Sequence, residues 1–453
     1  MQVNDTLTEQ LAADLPSDAL SEGRAVVLGL DGVPHSMLLE LMANGIMPNM
    51  AKLVQAGSLQ RMESTLPSVS SVAWTSFRTG RNPGQHGITG FTDRRPRTYK
   101  TYFPTTASIL VSTIEEYAES RGLKAFVMGM PVNYPPVKLA SGASIGCFLC
   151  PSVEQAVYPP EILDELKGMN YKLDVEAKLA FTDPRRFIEE LFAVTEGYRA
   201  AMFRFWDRQK WDLMLVHFMS TDRLHHFMWD QYGDPAAPYH AEFIRLYERI
   251  DEIIGEVAAR LEENMLLMML SDHGFCGVKC EVNMNLWLQQ EGFLRFHTSS
   301  PRSLEDIDGR SQAYSLIPGR FYINLKGREP RGSVEPGGEY LDVREKIAAR
   351  LMELRDPQTG EPVIERVEMR EALYGEETSG VAPDMVALAH YGYDLKDQVN
   401  GRELFQPGKL KGMHTFDDAF LFVNRPMKIP AGIKIYEATD IVAEHCRCRS
   451  PRR

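Results

Sequence analysis

The sequence has no long hydrophobic run. Its longest apolar stretches, LMLVHFM and MLLMML, are of strand length and fall well short of the ~20 residues that span a bilayer. No membrane partner is expected. The N-terminus, MQVNDTLTEQLAADLPSDALSEGR, lacks the basic start and apolar core of an export signal, so a cytoplasmic location is expected. Cysteine is scarce, with six in 453 residues, in the close pairs Cys147/Cys150, Cys276/Cys280 and Cys446/Cys448. Disulfides are not expected without export. Only the first pair has a spacing common among zinc ligands, and ordinary thiols are the expected reading of all three. Positive charge is in deficit: 50 Lys and Arg against 62 Asp and Glu leave a net charge of −12. An acidic surface disfavours a nucleic-acid polymer as partner. It leaves room for a small phosphorylated substrate, because bound cations invert the local field. No internal repeat and no low-complexity tract is visible.

What is present is ordinary for a globular protein: 44% hydrophobic and 25% charged residues. The length suits one large α/β domain carrying insertions. RAVVLGLDG (24–32) reads as a buried strand ending at an acid and a glycine, and HSMLLELMANGIMPNMAKLVQAG comes next with helical apolar spacing, an interruption and a glycine stop. Further buried strands are expected at 122–130, 212–219, 264–272 and 418–423, with helices at 186–210, 240–262 and 341–355. The expected architecture is a mostly parallel central sheet with helices on both faces and an inserted cap region. The expected division is an acidic arm (1–23), a single α/β domain (24–445) with cap insertions near 90–200 and 275–375, and a basic tail (446–453).

The acids and histidines sit at strand ends. Asp31 comes after the first strand, Asp222 after the 212–219 strand and a short turn, and Asp272–His273 after the 264–272 strand. Open α/β sheets build their sites at the carboxyl ends of strands. If a helix begins near Asp222, then Asp222 and His226 stand i, i+4 on one face and can hold one cation, with His225 as the i+3 rival. Asp272 and His273 can reach one ion only if the strand has ended, which Gly274 makes plausible. His414 lies behind a glycine, in an expected loop leading to a late strand. Each element alone reads as an N-cap, a polar turn or a solvated histidine. Together they give three carboxylates and three imidazoles, too many donors for one tetrahedral ion and suited to two divalent metal ions sharing an oxygen. Zn2+ is favoured and Mn2+ is the alternative.

These motifs in this order resemble the alkaline phosphatase superfamily, and within it the type I phosphodiesterase/nucleotide pyrophosphatase family, in its predicted phosphohydrolase and phosphomutase subgroup. The carrying stretches are VVLGLDG, SSVAWTSFRTGRNPGQHGI, TDRLHHFMW, LSDHGF and GMHTFDDAFLF. The resemblance implies an alkaline-phosphatase-like fold. It implies one metal held by Asp222, His226 and His414, and another held by Asp31, Asp272, His273 and the nucleophile oxygen. Registration on Thr79-Gly80 and His86-Gly87 places that nucleophile at Ser70, with Ser71 as runner-up. His86 reads as structural. A phosphoryl-binding Asn found in nucleotide pyrophosphatases three residues after the nucleophile is replaced here by Ala73, which weakens a nucleotide-specific reading.

The expected activity is metal-dependent hydrolysis of a phosphodiester or pyrophosphate through a phosphoserine intermediate. A phosphomutase or phosphomonoesterase is the alternative on the same fold, and a non-catalytic metal-binding protein is the remote one. A monoesterase needs extra cationic groups. The nearby candidates Arg78, Arg81 and Arg223 read as salt-bridged surface groups. A sulfatase would want a Cys/Ser-x-Pro-x-Arg context that Ser70-Ser71-Val72 does not supply.

Overall fold

The computed structural model describes residues 23–208, 210–375 and 379–446. The expected acidic arm up to residue 22, and the basic tail with Cys448, lie outside the described residues. Eight strands form the main sheet: β1 (Ala25–Leu30), β2 (Ser58–Met62), β3 (Ala125–Met128), β4 (Ala143–Ile145), β5 (Val157–Tyr158), β6 (Leu213–Phe218), β7 (Leu266–Leu270) and β8 (Ala419–Val423). Their order is β2-β8-β7-β1-β6-β3-β4-β5. β7, β1, β6, β3 and β4 run parallel, while β8, β2 and β5 pair antiparallel at the flanks. The fold is thus α/β around a central mixed sheet, with additional inserted elements.

Every residue of β1, β6 and β7 is buried. This is the pattern of strands covered on both faces. Val26, Leu28 and Leu30 pack into one apolar cluster, and Ala25 and Val27 into another on the opposite face. The first cluster takes in helices Pro184–Arg208 and His240–Ala258, whose apolar residues recur at helical spacing. The second takes in α1 (Ser70–Thr79) and the last helix, Ile435–His445. The stretch after β1 forms two helices, His35–Ala43 and Pro48–Ala56, with Pro48 opening the second. A third apolar cluster gathers around an antiparallel four-stranded sheet built from residues 313–389, with helix Gly338–Met352 against it; these elements, with Val282 and Leu395 of the same cluster, form a second lobe. None of the helices among the described residues is long and apolar enough to cross a membrane.

α1 ends at Gly80 in the left-handed region (φ +61°), where glycine carries no Cβ penalty. Asn82 and Gln85 then form a capping box around the short turn Pro83–His86. His86 is fully buried. Its Nδ1 accepts the Ile88 N–H (3.1 Å), so Nε2 carries the proton and donates to Ser76 Oγ (2.8 Å). The ring thus locks this turn onto α1. Burial pulls its pKa down to about 3, whereas in the unfolded chain a histidine titrates near 6.5. Its contribution to stability is full above about pH 6.5 and is lost as pH falls toward 3, at up to ~1.4 kcal/mol per pH unit. Denaturant titrations between pH 7.5 and 4 are expected to show His86→Asn less stable at pH 7.5 but falling less steeply below pH 6.5. Equal slopes for the two proteins would contradict this account.

Candidate active site

β1 pairs with β6 and β7 in a register that brings Leu30 level with Phe218 and Gly29 level with Leu270. The three strands therefore end side by side, and the residues just beyond their ends converge. Asp31 comes directly after β1. α2 (Ser220–Tyr232) starts just past β6 and holds Asp222 in its first turn, two residues further into the helix than the sequence reading placed it. Asp272 and His273 lie just past β7. The strand has ended by Leu270, as a shared ion for Asp272 and His273 requires. Gly274 opens a separate short strand, Gly274–Gly277, paired antiparallel with Gly412–Thr415, so His414 stands on a strand and not in the expected loop. That ladder puts His414 opposite Phe275 and carries it back to the strand ends.

Gly32 turns the chain after Asp31 with φ +68°, and a Cβ there would sit 2.7 Å from the Phe275 ring. Its N–H donates to Asp272 Oδ1 (3.1 Å) and its carbonyl accepts from His225 Nδ1 (3.0 Å). His225 Nε2 in turn accepts from the Tyr247 hydroxyl (2.7 Å). His225 therefore anchors the Asp31–Gly32 turn, and it is His226, one residue on, that lies beside Asp222.

Asp222, His226 and His414 offer ligand atoms that all lie within 4.8 Å of one another, and so do Asp31, Asp222 and His273. Asp222 belongs to both groups. Asp272 is not in the second group but touches it, with Oδ2 3.2 Å from His273 Nε2. Every cluster imidazole uses Nδ1 on a backbone carbonyl: His226 on Gly412 (3.0 Å), His414 on Ser68 (2.9 Å) and His273 on Gly274 (3.1 Å). Each Nε2 lone pair is thereby turned inward. His226 Nε2 and His414 Nε2 face each other at 2.9 Å, each 3.3 Å from Asp222 Oδ1. His273 Nε2 faces Ser70 Oγ at 3.3 Å and Asp31 Oδ1 at 3.5 Å. Asp222 Oδ1 and Asp272 Oδ2 are buried with no hydrogen-bond donor. Buried carboxylate oxygens without donors and lone pairs aimed at lone pairs are costly unless a cation lies among them. The donor set therefore fits two divalent cations, bound by carboxylate and imidazole.

The charge states agree with this crowding. Burial pushes the Asp272 carboxyl well above the usual range, and the neighbouring Asp31 adds to it. Burial also raises Asp31, but the His217 hydrogen bond and nearby imidazoles outweigh it and hold the group below its ordinary value. For Asp222, burial is outweighed by His226, His414 and Arg223, which hold it well below. Burial, followed by the charge of His414, pulls His273 down to about 3, so its ring is a neutral donor.

Ser70 opens α1 after Val69, the N-cap. Its Oγ lies 3.3 Å from both Asp31 Oδ1 and His273 Nε2. The hydroxyl thus sits where the second ligand group and the helix N-terminus meet, and first-turn N–H groups there suit an anion. Ser71 Oγ is buried without a partner. Thr75 and Thr79 return their hydroxyls to the carbonyls four residues back, at 2.7 Å each, and Ser68 Oγ binds Thr65 O. Arg78 is ion-paired as expected, to Glu115, but it is fully buried rather than on the surface. Arg223 is held by Asp174 at 2.6 Å and lies 3.4 Å from Asp222. Neither metal-ligand group includes a cysteine, and the five described cysteines are free thiols.

Two supporting residues were missed from sequence. His217 Nε2 (2.6 Å) and Trp74 Nε1 (2.9 Å) both meet Asp31 Oδ2, leaving Oδ1 to face the cluster. The Trp74 ring presses on Gly29, where a Cβ would fall 2.5 Å from it. The signal for His217 was present: it is the one polar residue in the strand LMLVHF.

The chain is similar to known proteins in both sequence and fold. The model of a family described as type I phosphodiesterase/nucleotide pyrophosphatase matches residues 25–417. A 95-residue stretch is 28% identical to part of the catalytic subunit of GPI ethanolamine phosphate transferase 3 from Homo sapiens, covering 21% of this chain and 8% of that protein. Among solved structures, phosphonoacetate hydrolase from Sinorhizobium meliloti 1021, in complex with phosphonoformate, is 17% identical with a TM-score of 0.64, over 94% of this chain and 96% of that one. Murine ectonucleotide pyrophosphatase/phosphodiesterase 5 is 14% identical with a TM-score of 0.51, over 94% and 95%. At these identities the solved structures show a shared fold.

Elemental analysis after Zn2+ or Mn2+ loading and gel filtration is expected to find close to two ions per chain. Replacing His226 and His414 together by Ala is expected to bring this to about one. A wild-type value near zero after reconstitution would refute the two-cation reading.

Proposed function

Given that the chain belongs to the type I phosphodiesterase/nucleotide pyrophosphatase family of the alkaline phosphatase superfamily, and is thereby a phosphohydrolase with a metal-binding active site, we propose that it hydrolyses a phosphodiester or pyrophosphate through a phosphoserine at Ser70. The observation that carries this reading is the position of Ser70 Oγ, 3.3 Å from both Asp31 Oδ1 and His273 Nε2, at the start of a ten-residue helix.

Two divalent cations, when bound, supply the charge that makes a serine hydroxyl acidic and that offsets charge on phosphoryl oxygens. Asp222, His226 and His414 would hold one of them. Asp31 and His273, with Asp272 beside His273 and Asp222 within the same group, would hold the other. The Asp31 carboxylate and the neutral His273 imidazole keep Ser70 oriented without a separate general base. Ser70 Oγ gives up its proton to solvent and attacks phosphorus in line, the P–O bond to the leaving group breaks, and the leaving oxygen takes up a proton from water. Water then cleaves the phosphoserine from the opposite side and restores the hydroxyl. First-turn N–H groups of α1 stabilise the charge on the non-bridging oxygens through both steps. Catalysis on this account is positioning and charge compensation.

A diester is favoured over a monoester because the nearby guanidinium groups are engaged. Arg78 is buried on Glu115, Arg81 donates to the Gly80 carbonyl, and Arg223 is held by Asp174. The additional charge of a monoester would meet Arg78 and Arg223 already neutralised by carboxylates; Arg81, which makes no ion pair among the described residues and so is not the salt-bridged group expected, lies past the end of α1 opposite Ser70. Zn2+ is the favoured cation for three imidazoles among carboxylates. A cytoplasmic location is supported by the five free thiols.

Ser70→Ala is expected to lower kcat for bis(p-nitrophenyl) phosphate by at least ~10³-fold while leaving bound metal unchanged by elemental analysis. Ser71→Ala is expected to remain active. An active Ser70→Ala with an inactive Ser71→Ala would move the nucleophile by one residue. Recovery of substrate isomers without released alcohol or phosphate would indicate a phosphomutase instead.

A further inference from the structure

Resting on that reading of the site, we propose that the substrate carries an apolar arm, and that a cavity beside His226 and His414 receives it. The cavity has a volume of about 270 Å³ and includes both imidazole residues in its wall. Most of its remaining wall is apolar: Leu66 and Val69 from the loop before α1, Ile317, Leu388 and Leu395 from the second lobe, and Met413 beside His414. A dry apolar cavity of roughly 150 Å³ takes up benzene, so this one has room for an aromatic ring or a short alkyl chain.

The charged residues of the wall are engaged with one another or with close neighbours. Lys396 Nζ lies 2.5 Å from Asp394 Oδ2, and Arg366 reaches Glu365 (2.8 Å) and Glu368 (3.1 Å). The Arg366 guanidinium also lies over the Phe416 ring at 5.1 Å, and the Tyr391 hydroxyl donates to Asp417. A second phosphate or a carboxylate on the substrate would find both cations paired and acids on either side. An uncharged apolar group would displace water from apolar walls and gain the burial energy.

The walls are fixed relative to the site. The Tyr374 hydroxyl donates to the Leu66 carbonyl (2.8 Å), and His414 Nδ1 donates to the Ser68 carbonyl (2.9 Å). One loop, Leu66–Val69, therefore leads into Ser70, binds a cluster imidazole and lines the cavity. A phosphoryl group placed at Ser70 would have one ester arm within reach of this space. The substrate class is accordingly a phosphoric ester in which one organic group is an alkyl, acyl or aromatic residue without charge.

The test is calorimetric binding of monoanionic n-alkyl methylphosphonates, methyl to octyl ester, to the zinc-loaded protein. The cavity predicts affinity rising about threefold to fourfold per methylene until the space is filled. Ala389→Trp, which places an indole in the cavity, is expected to flatten the series. Should that variant not fold, Leu388→Asn is expected to reduce the increment per methylene. A Kd independent of chain length, or no binding at any length, overturns the proposal. If bis(p-nitrophenyl) phosphate is still hydrolysed in that case, the phosphohydrolase reading stands. A retained chain-length series in a protein that hydrolyses no ester would overturn the hydrolase mechanism and leave the cavity assignment intact.

Discussion

Carboxylate oxygens and imidazole lone pairs are crowded into a buried space at the ends of three adjacent parallel strands, and positive charge is what reconciles them. His226 and His414 face each other nitrogen to nitrogen at 2.9 Å. Asp222 and Asp272 each keep one buried oxygen without a donor. Protein groups alone do not satisfy this arrangement. Backbone carbonyls of Gly412, Ser68 and Gly274 fix the outward nitrogens of the three rings. The fold thereby fixes the orientation of these side chains, as supporting groups do around a metal site.

The same constraint shapes the nearby sheet. Asp31 presents one oxygen to the cluster because Trp74 and His217 occupy the other. Trp74 fits because Gly29 has no side chain, and the turn after Asp31 is made by Gly32 at positive φ. His225 and Tyr247 brace that turn from the far side. A strand, a helix and a turn are thus each adapted to the position of one carboxylate. Outside this centre, the second lobe is tied to the loop before Ser70 by Tyr374 and to residues 89–93 by the buried Arg320–Asp93 pair. Through these ties the lobe reaches the site's edge and walls the apolar cavity.

Much of this was legible in the chain itself. Apolar runs marked β1, β3, β6, β7 and β8, because strands buried on both faces leave an uninterrupted signature. The acids and histidines just beyond them are local features of sequence. Short flanking strands such as Ser58–Met62 and Val157–Tyr158 were not legible. Ser58–Met62 is only partly buried, and Val157–Tyr158 contributes two residues, so neither has a clear period. The ladder of Gly274–Gly277 with Gly412–Thr415 was also hidden, since four residues around a glycine read as a turn. Arg78 looked like a surface group because its buried partner, Glu115, lies 37 residues away.

The sequence by itself determined the α/β class, the order of the strands along the chain, and the identity of the donors at their ends. Those properties are local: hydrophobic period, chain punctuation and residue type. The tertiary structure decided which donors meet. It separated His226 from His225, gave Asp222 to both ligand groups, placed Ser70 Oγ against Asp31 and His273, and recruited His217 as a support. Gly32 and Asp272 are 240 residues apart and bonded, and His226 and His414 are 188 apart and in contact. Only the register of β1 with β6 and β7, and of the short ladder beside them, sets those distances. Register is a property of paired strands, not of any one segment.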